Sequence, residues 1–69
     1  MDERKATTIA KNIKKFRKEI GMTQKQLGER LKITSQAISK WENATSMPDI
    51  CFLFDLAQIF NHNMEDFFF

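Results

Sequence analysis

The sequence predicts an all-α fold, a compact domain of five short helices, and three observations carry that expectation. Apolar residues recur at steps of three and four along most of the chain, the period of an amphipathic helix. Thr, Ser and Asn stand ahead of these runs as ready helix caps. No segment reads as a strand. With 69 residues there is room for one core only, and a chain of this size buries about 60% of its unfolded surface.

Residues 1–7 read as a polar N-terminal arm, expected to fray, and residues 8–69 as the domain. From Thr7 or Thr8, the positions Ile9, Ile13, Phe16 and Ile20 form one apolar stripe, so a first helix is expected to run to about Ile20. Gly21 supplies the left-handed residue past its end, and Met22 returns to the core. Thr23 and Gln26 then make a Thr-x-x-Gln capping box for a second helix, with Leu27 and Leu31 inward. Gly28 inside that helix costs about 1 kcal/mol relative to alanine, which predicts a close approach of the third helix there. Thr34 or Ser35 caps the third helix, which runs to about Asn43. Ile38 and Trp41 face inward on it, and Ser35, Gln36, Ser39 and Lys40 face out. Two helices joined by a tight turn make residues 23–43 a helix-turn-helix.

Ser46 with Asp49 suggests a further capping box, with Pro48 in the first turn of a fourth helix from Met47 or Pro48 to Phe60. Ile50, Leu53, Leu56, Ala57 and Phe60 share one face of it; Phe52 with Ile59 and, opposite them, Phe54 lie on its shoulders. Asn63 with Asp66 repeats the cap pattern before a last short helix, Met64 to Phe68. The apolar shoulder and the Phe67-Phe68-Phe69 end exceed what so small a core can hold. Phe52, Ile59, Phe68 and Phe69 are therefore candidates for a dimer contact, or for an interface with a further C-terminal domain.

Charge is segregated along the chain. All eleven Lys and Arg lie in residues 1–40 beside four acids, whereas residues 41–69 hold five acids and no base. A basic half that contains the polar third helix suits a polyanion, because Lys and Arg near phosphates release condensed counterions. The single cysteine, Cys51, has no internal disulfide partner, and no apolar run approaches the roughly 20 residues that span a bilayer. A reduced cytoplasm is the expected setting and no membrane partner is expected. The single histidine, His62, is far along the chain from Cys51, and no nucleophile-base grouping, glycine-rich phosphate loop or metal-ligand spacing is present. Neither catalysis, nor a cofactor or metal, nor a small-molecule ligand is expected.

The residues Ile13-x-x-Phe16-Arg17, Met22-Thr23-Gln24, Gln26-Leu27, Leu31, Ile38 to Asn43 (ISKWEN), Pro48, Leu53-x-x-Leu56-Ala57 and Asp66 together resemble the Cro/C1-type (Xre) helix-turn-helix domain of phage repressors and bacterial regulators. The resemblance spans residues 8–68. It implies a five-helix, lambda-repressor-like domain, an operator in double-stranded DNA as partner, and a homodimer on a two-fold site. On that reading the third helix enters the major groove, where Gln36 can bond adenine in a bidentate manner, Lys40 can donate to guanine, and Ser35 and Ser39 read or position. Gln24 at the start of the second helix would grip a phosphate, with Thr34 and Asn43 as further phosphate candidates and Lys14, Lys18 and Lys25 adding counterion release. The resemblance also pairs Arg17 with Glu42 as a structural ion pair. Lys32 and Ala44 depart from it, standing where glycine commonly takes a left-handed conformation, and each costs about 1 kcal/mol if the backbone is kept. The alternative function is an antitoxin-like or other protein-interaction module of the same fold, with weak or no specific DNA binding.

Overall fold

The computed structural model describes residues 3–69. Four α-helices, α1 (Glu3–Glu19), α2 (Gln24–Leu31), α3 (Ser35–Glu42) and α4 (Ile50–Phe60), are followed by a 3-10 turn at Met64–Phe68. The all-α expectation holds with four α-helices among the described residues, and the fifth expected α-helix is a 3-10 turn instead.

Helix α1 starts at Glu3, well ahead of Thr7, so residues 3–7 of the expected arm are helical. Met1 and Asp2 lie outside the described residues. Glu3 in the first turn suits the positive end of the helix, and Thr7 and Thr8 satisfy their hydroxyls on the Glu3 and Arg4 carbonyls at 2.9 Å. At the other end Gly21 takes φ 71°. The turn leaves Ile20 44% exposed, against its expected place in the stripe. Met22 packs on the core instead.

The Thr23 capping box forms in full, with Gln26 N–H donating to Thr23 Oγ1 at 3.0 Å and Thr23 N–H to Gln26 Oε1 at 2.9 Å. A Cβ on Gly28 would stand 2.8 Å from the Ile33 carbonyl oxygen. The close approach is therefore made by the backbone of the α2–α3 turn, not by the body of α3. Lys32 and Ala44 both adopt φ 60°, so the left-handed turns are kept without glycine. Thr34 is the cap of α3, accepting from Ala37 N–H at 3.2 Å.

Helix α4 begins two or three residues later than expected. Asp49 has extended backbone and is itself the cap, accepting from Phe52 N–H at 3.0 Å, so the Ser46 box does not form and Pro48 precedes the helix. The late start leaves Ile50 66% exposed, outside the buried face to which the helical period assigned it. The core joins Ile9, Ile13 and Phe16 of α1 to Leu27, Ile38, Trp41, Leu53, Leu56, Ala57, Phe60 and Phe67. Phe67 is fully buried, with its ring edge-on to Phe16 at 5.3 Å.

Candidate nucleic-acid interface

Helix α3 is built with two unlike faces. Ile38 and Trp41 are buried. At about 100° per residue, Ser35, Gln36, Ser39, Lys40 and Asn43 fall within an arc of about 140° on the other side. Gln36, Lys40 and Asn43 are exposed, and Ser35 and Ser39 half-buried. The hydrogen bonds along this row are long and weak: Ser35 to Gln36 and Asn43 to Ser39, each 3.4 Å. The row thus keeps most of its donor and acceptor capacity for a ligand.

The row is held in place by a buried cluster at the C-terminal end of α3. Arg17 donates from Nε to Glu42 Oε2 at 2.7 Å and from one terminal nitrogen to Oε1 at 3.0 Å. Its other terminal nitrogen reaches the Met22 carbonyl at 2.7 Å. The side chains are 9% and 2% exposed, so this is a bidentate pair largely removed from water. Gln24 adds a third donor, Nε2 to Glu42 Oε1 at 3.1 Å. The residues paired by resemblance thus meet, and the Gln24 bond is an addition that no spacing in the sequence announced.

The phosphate candidates divide by position. Thr34 caps α3 while its own hydroxyl proton remains free to donate, and Gln24 is half-buried at the first residue of α2. Lys14, Lys18 and Lys25 are exposed, and among the described residues neither they nor Lys40 form an ion pair. The dimer candidates do not form one exposed patch. Phe52 is half-buried and packs on Trp41, with ring centroids 5.2 Å apart, and Ile59 and Phe68 also pack on the core. Of these candidates Phe69 alone is exposed; the other exposed large apolar side chains among the described residues are Ile20, Ile50 and Phe54, and Ile50 and Phe54 line a shallow groove with Cys51, Asp55 and Met64. Phe52 already has cover from Trp41, and Ile59, packed on the core, borders the C-terminal end of α2 at Leu31.

Two polar residues that hold the scaffold escaped sequence reasoning. Asn12 is buried in α1 and donates to the Asp66, Phe67 and Phe69 carbonyls at 3.2, 2.9 and 3.4 Å. Its signal was available: a carboxamide three residues after Ile9, on the apolar stripe. His62 stacks on Phe16 at 3.7 Å and sets Nδ1 against Asp66 at 3.0 Å and Nε2 against Glu19 at 3.2 Å. With a carboxylate at each ring nitrogen the doubly protonated ring fits best. The hydrogen bond to Asp66 raises the His62 pKa above its ordinary value, offset in part by desolvation, with Glu19 adding to the rise. The same bond holds Asp66 below the usual carboxylate range.

A raised histidine pKa stabilises fully below the ordinary value of 6.5, and the contribution is lost as pH rises through the folded-state value. The depressed Asp66 contributes above its ordinary value and loses it as pH falls through the lower folded one. Thermal melts should show a modest fall in Tm from about pH 6 to about pH 9 that is absent in His62→Gln. The same slope in both proteins would place its origin elsewhere.

A family model described as helix-turn-helix matches residues 13–67, which takes in α2, α3 and α4 whole. A search among curated proteins finds no match. No helix among the described residues is long and apolar enough to cross a membrane. With the match covering most of the chain, and with an outward polar row on the second helix of the motif, the chain belongs to the Cro/C1-type, Xre-like helix-turn-helix family of DNA-binding regulators.

Proposed function

We propose that the protein is a sequence-specific regulator that binds double-stranded DNA with α3 in the major groove, acts as a repressor, and engages its operator as a homodimer. The observation that carries this reading is the row Ser35, Gln36, Ser39 and Lys40, polar and largely unsatisfied on a helix whose opposite face is core. Gln36 and Lys40 choose sequence through base edges, while Gln24, Thr34, Asn43 and the lysines at 14, 18 and 25 hold the backbone. The lysines that form no ion pair supply the counterion release that makes the complex sensitive to salt. A fluorescence titration with DNA from upstream of the protein's own gene, against a scrambled duplex at physiological salt, tests it. Preference of at least about a thousandfold is expected, and equal affinity would remove the sequence-specific reading.

For the self-pairing surface this reading takes the groove of Ile50, Phe54 and Met64 in place of Phe52 and Ile59, which pack on the core. Sedimentation on operator DNA should give two chains per site, and Phe54→Ser should shift this toward one; a single bound wild-type chain would end the dimer proposal.

The second reading, a protein-interaction module of antitoxin type, draws on the same exposed groove. It predicts weak binding that does not distinguish the two duplexes.

A further inference from the structure

Glu42 sits at a junction of four segments. It accepts from Arg17 of α1, whose third nitrogen fixes the Met22 carbonyl in the α1–α2 turn, and from Gln24 at the first residue of α2, while itself ending α3. Among the side-chain bonds of the described residues, the Gln24 bond alone crosses directly from the N-terminal end of α2 to the C-terminal end of α3. A carboxamide has two N–H groups and one oxygen. Facing a carboxylate, it must present nitrogen, so the amide orientation is set by charge and one N–H is committed. The other N–H stays on the same nitrogen, at a helix end where the unpaired backbone N–H groups of the first turn favour an anion.

We infer that Glu42 is a positioning residue for DNA binding, acting through Gln24: the buried carboxylate aims the Gln24 amide so that its second N–H is presented to a backbone phosphate. This rests on the DNA-binding reading above. The amide nitrogen then bridges two anions, donating once to each, and the carboxylate that anchors the fold also sets the distance between the α2 phosphate grip and the α3 base-reading row. A glutamine free to rotate would have to be ordered on binding, and its side-chain entropy would count against the complex.

The test is a double-mutant cycle on operator affinity, measured by titration with the DNA upstream of the protein's gene, at a temperature where circular dichroism shows every variant folded. Glu42→Gln keeps the size of the side chain and removes the charge that orders Gln24. It should weaken operator binding about tenfold, the scale of one hydrogen bond to a charged group, and Gln24→Ala should do the same. In the Gln24→Ala background, Glu42→Gln should add less than about twofold, because the group it acts through is gone. An undiminished tenfold loss there would mean that Glu42 acts through the fold, and the inference would be overturned. Unchanged affinity in Gln24→Ala, with base preference still altered by Gln36→Ala, would also overturn it and leave the DNA reading standing. Loss of discrimination between operator and scrambled DNA in the wild-type chain overturns both. Should Glu42→Gln not fold, side-chain ¹⁵N relaxation of Gln24 in the wild-type protein decides: an order parameter near about 0.8 supports a held amide, and one below about 0.6 overturns it.

Discussion

Glu42→Ala is expected to cost about 3–5 kcal/mol of stability, because it strands the Arg17 guanidinium in a site that water barely reaches. Arg17 would keep its bond to the Met22 carbonyl and lose both bonds to the carboxylate, and Gln24 would lose its acceptor as well. A domain of this size has about 3–10 kcal/mol in total, so the variant should lose about a third of it or more and melt far below the wild type. The loss measures the unpaired charge, not the worth of the pair. Replacing both partners, as Arg17→Met with Glu42→Leu, removes the desolvation cost on each side and should restore most of the stability. Urea melts of the single and double variants separate the two accounts. A double variant as unstable as Glu42→Ala would show that the bonds themselves, and not the stranded charge, carry the effect.

Much of this scaffold could be read from residues whose roles are local. The Thr23 box, the Gly21 turn and the left-handed residues at 32 and 44 follow from backbone sterics and cap chemistry, which depend on a few neighbouring residues. The inward pair Ile38 and Trp41 follows from the helical period. What escaped depends on where a segment lands in three dimensions. The Ser46 pattern failed because Asp49 competes for the same helix start, and nothing in the spacing ranks two adjacent caps. Ile20 and Ile50 fit the period of their helices but lie at the ends, where the neighbouring elements no longer cover them. Asn12 and His62 join positions 43 to 57 residues apart, through bonds to the chain end and to Glu19. The outward row was visible as four polar residues opposite an apolar pair. The Gln24 bond to Glu42 was not, since it requires the turn at Lys32 to fold α3 back beside the start of α2.

Gln36→Ala should cost about 1–3 kcal/mol of operator affinity, concentrated at one base pair, and leave the melting curve unchanged. The structural half of that expectation follows from exposure: Gln36 is exposed at the second residue of α3, and among the described residues its side chain makes one bond, a 3.4 Å contact with Ser35. Alanine also has the higher helix propensity, so removal of the carboxamide does not harm α3. The functional half follows from what a carboxamide does. Its donor and acceptor lie side by side and match the N6 and N7 edge of adenine, a pattern that no other base pair presents in the major groove. Truncation therefore removes discrimination at that pair while the phosphate contacts hold the complex in register. Binding to a set of duplexes carrying all four base pairs at each position would show the loss as a flattened preference at one position. A uniform loss across every duplex would instead make Gln36 a backbone contact, and sequence choice would then pass to Lys40, Ser35 and Ser39.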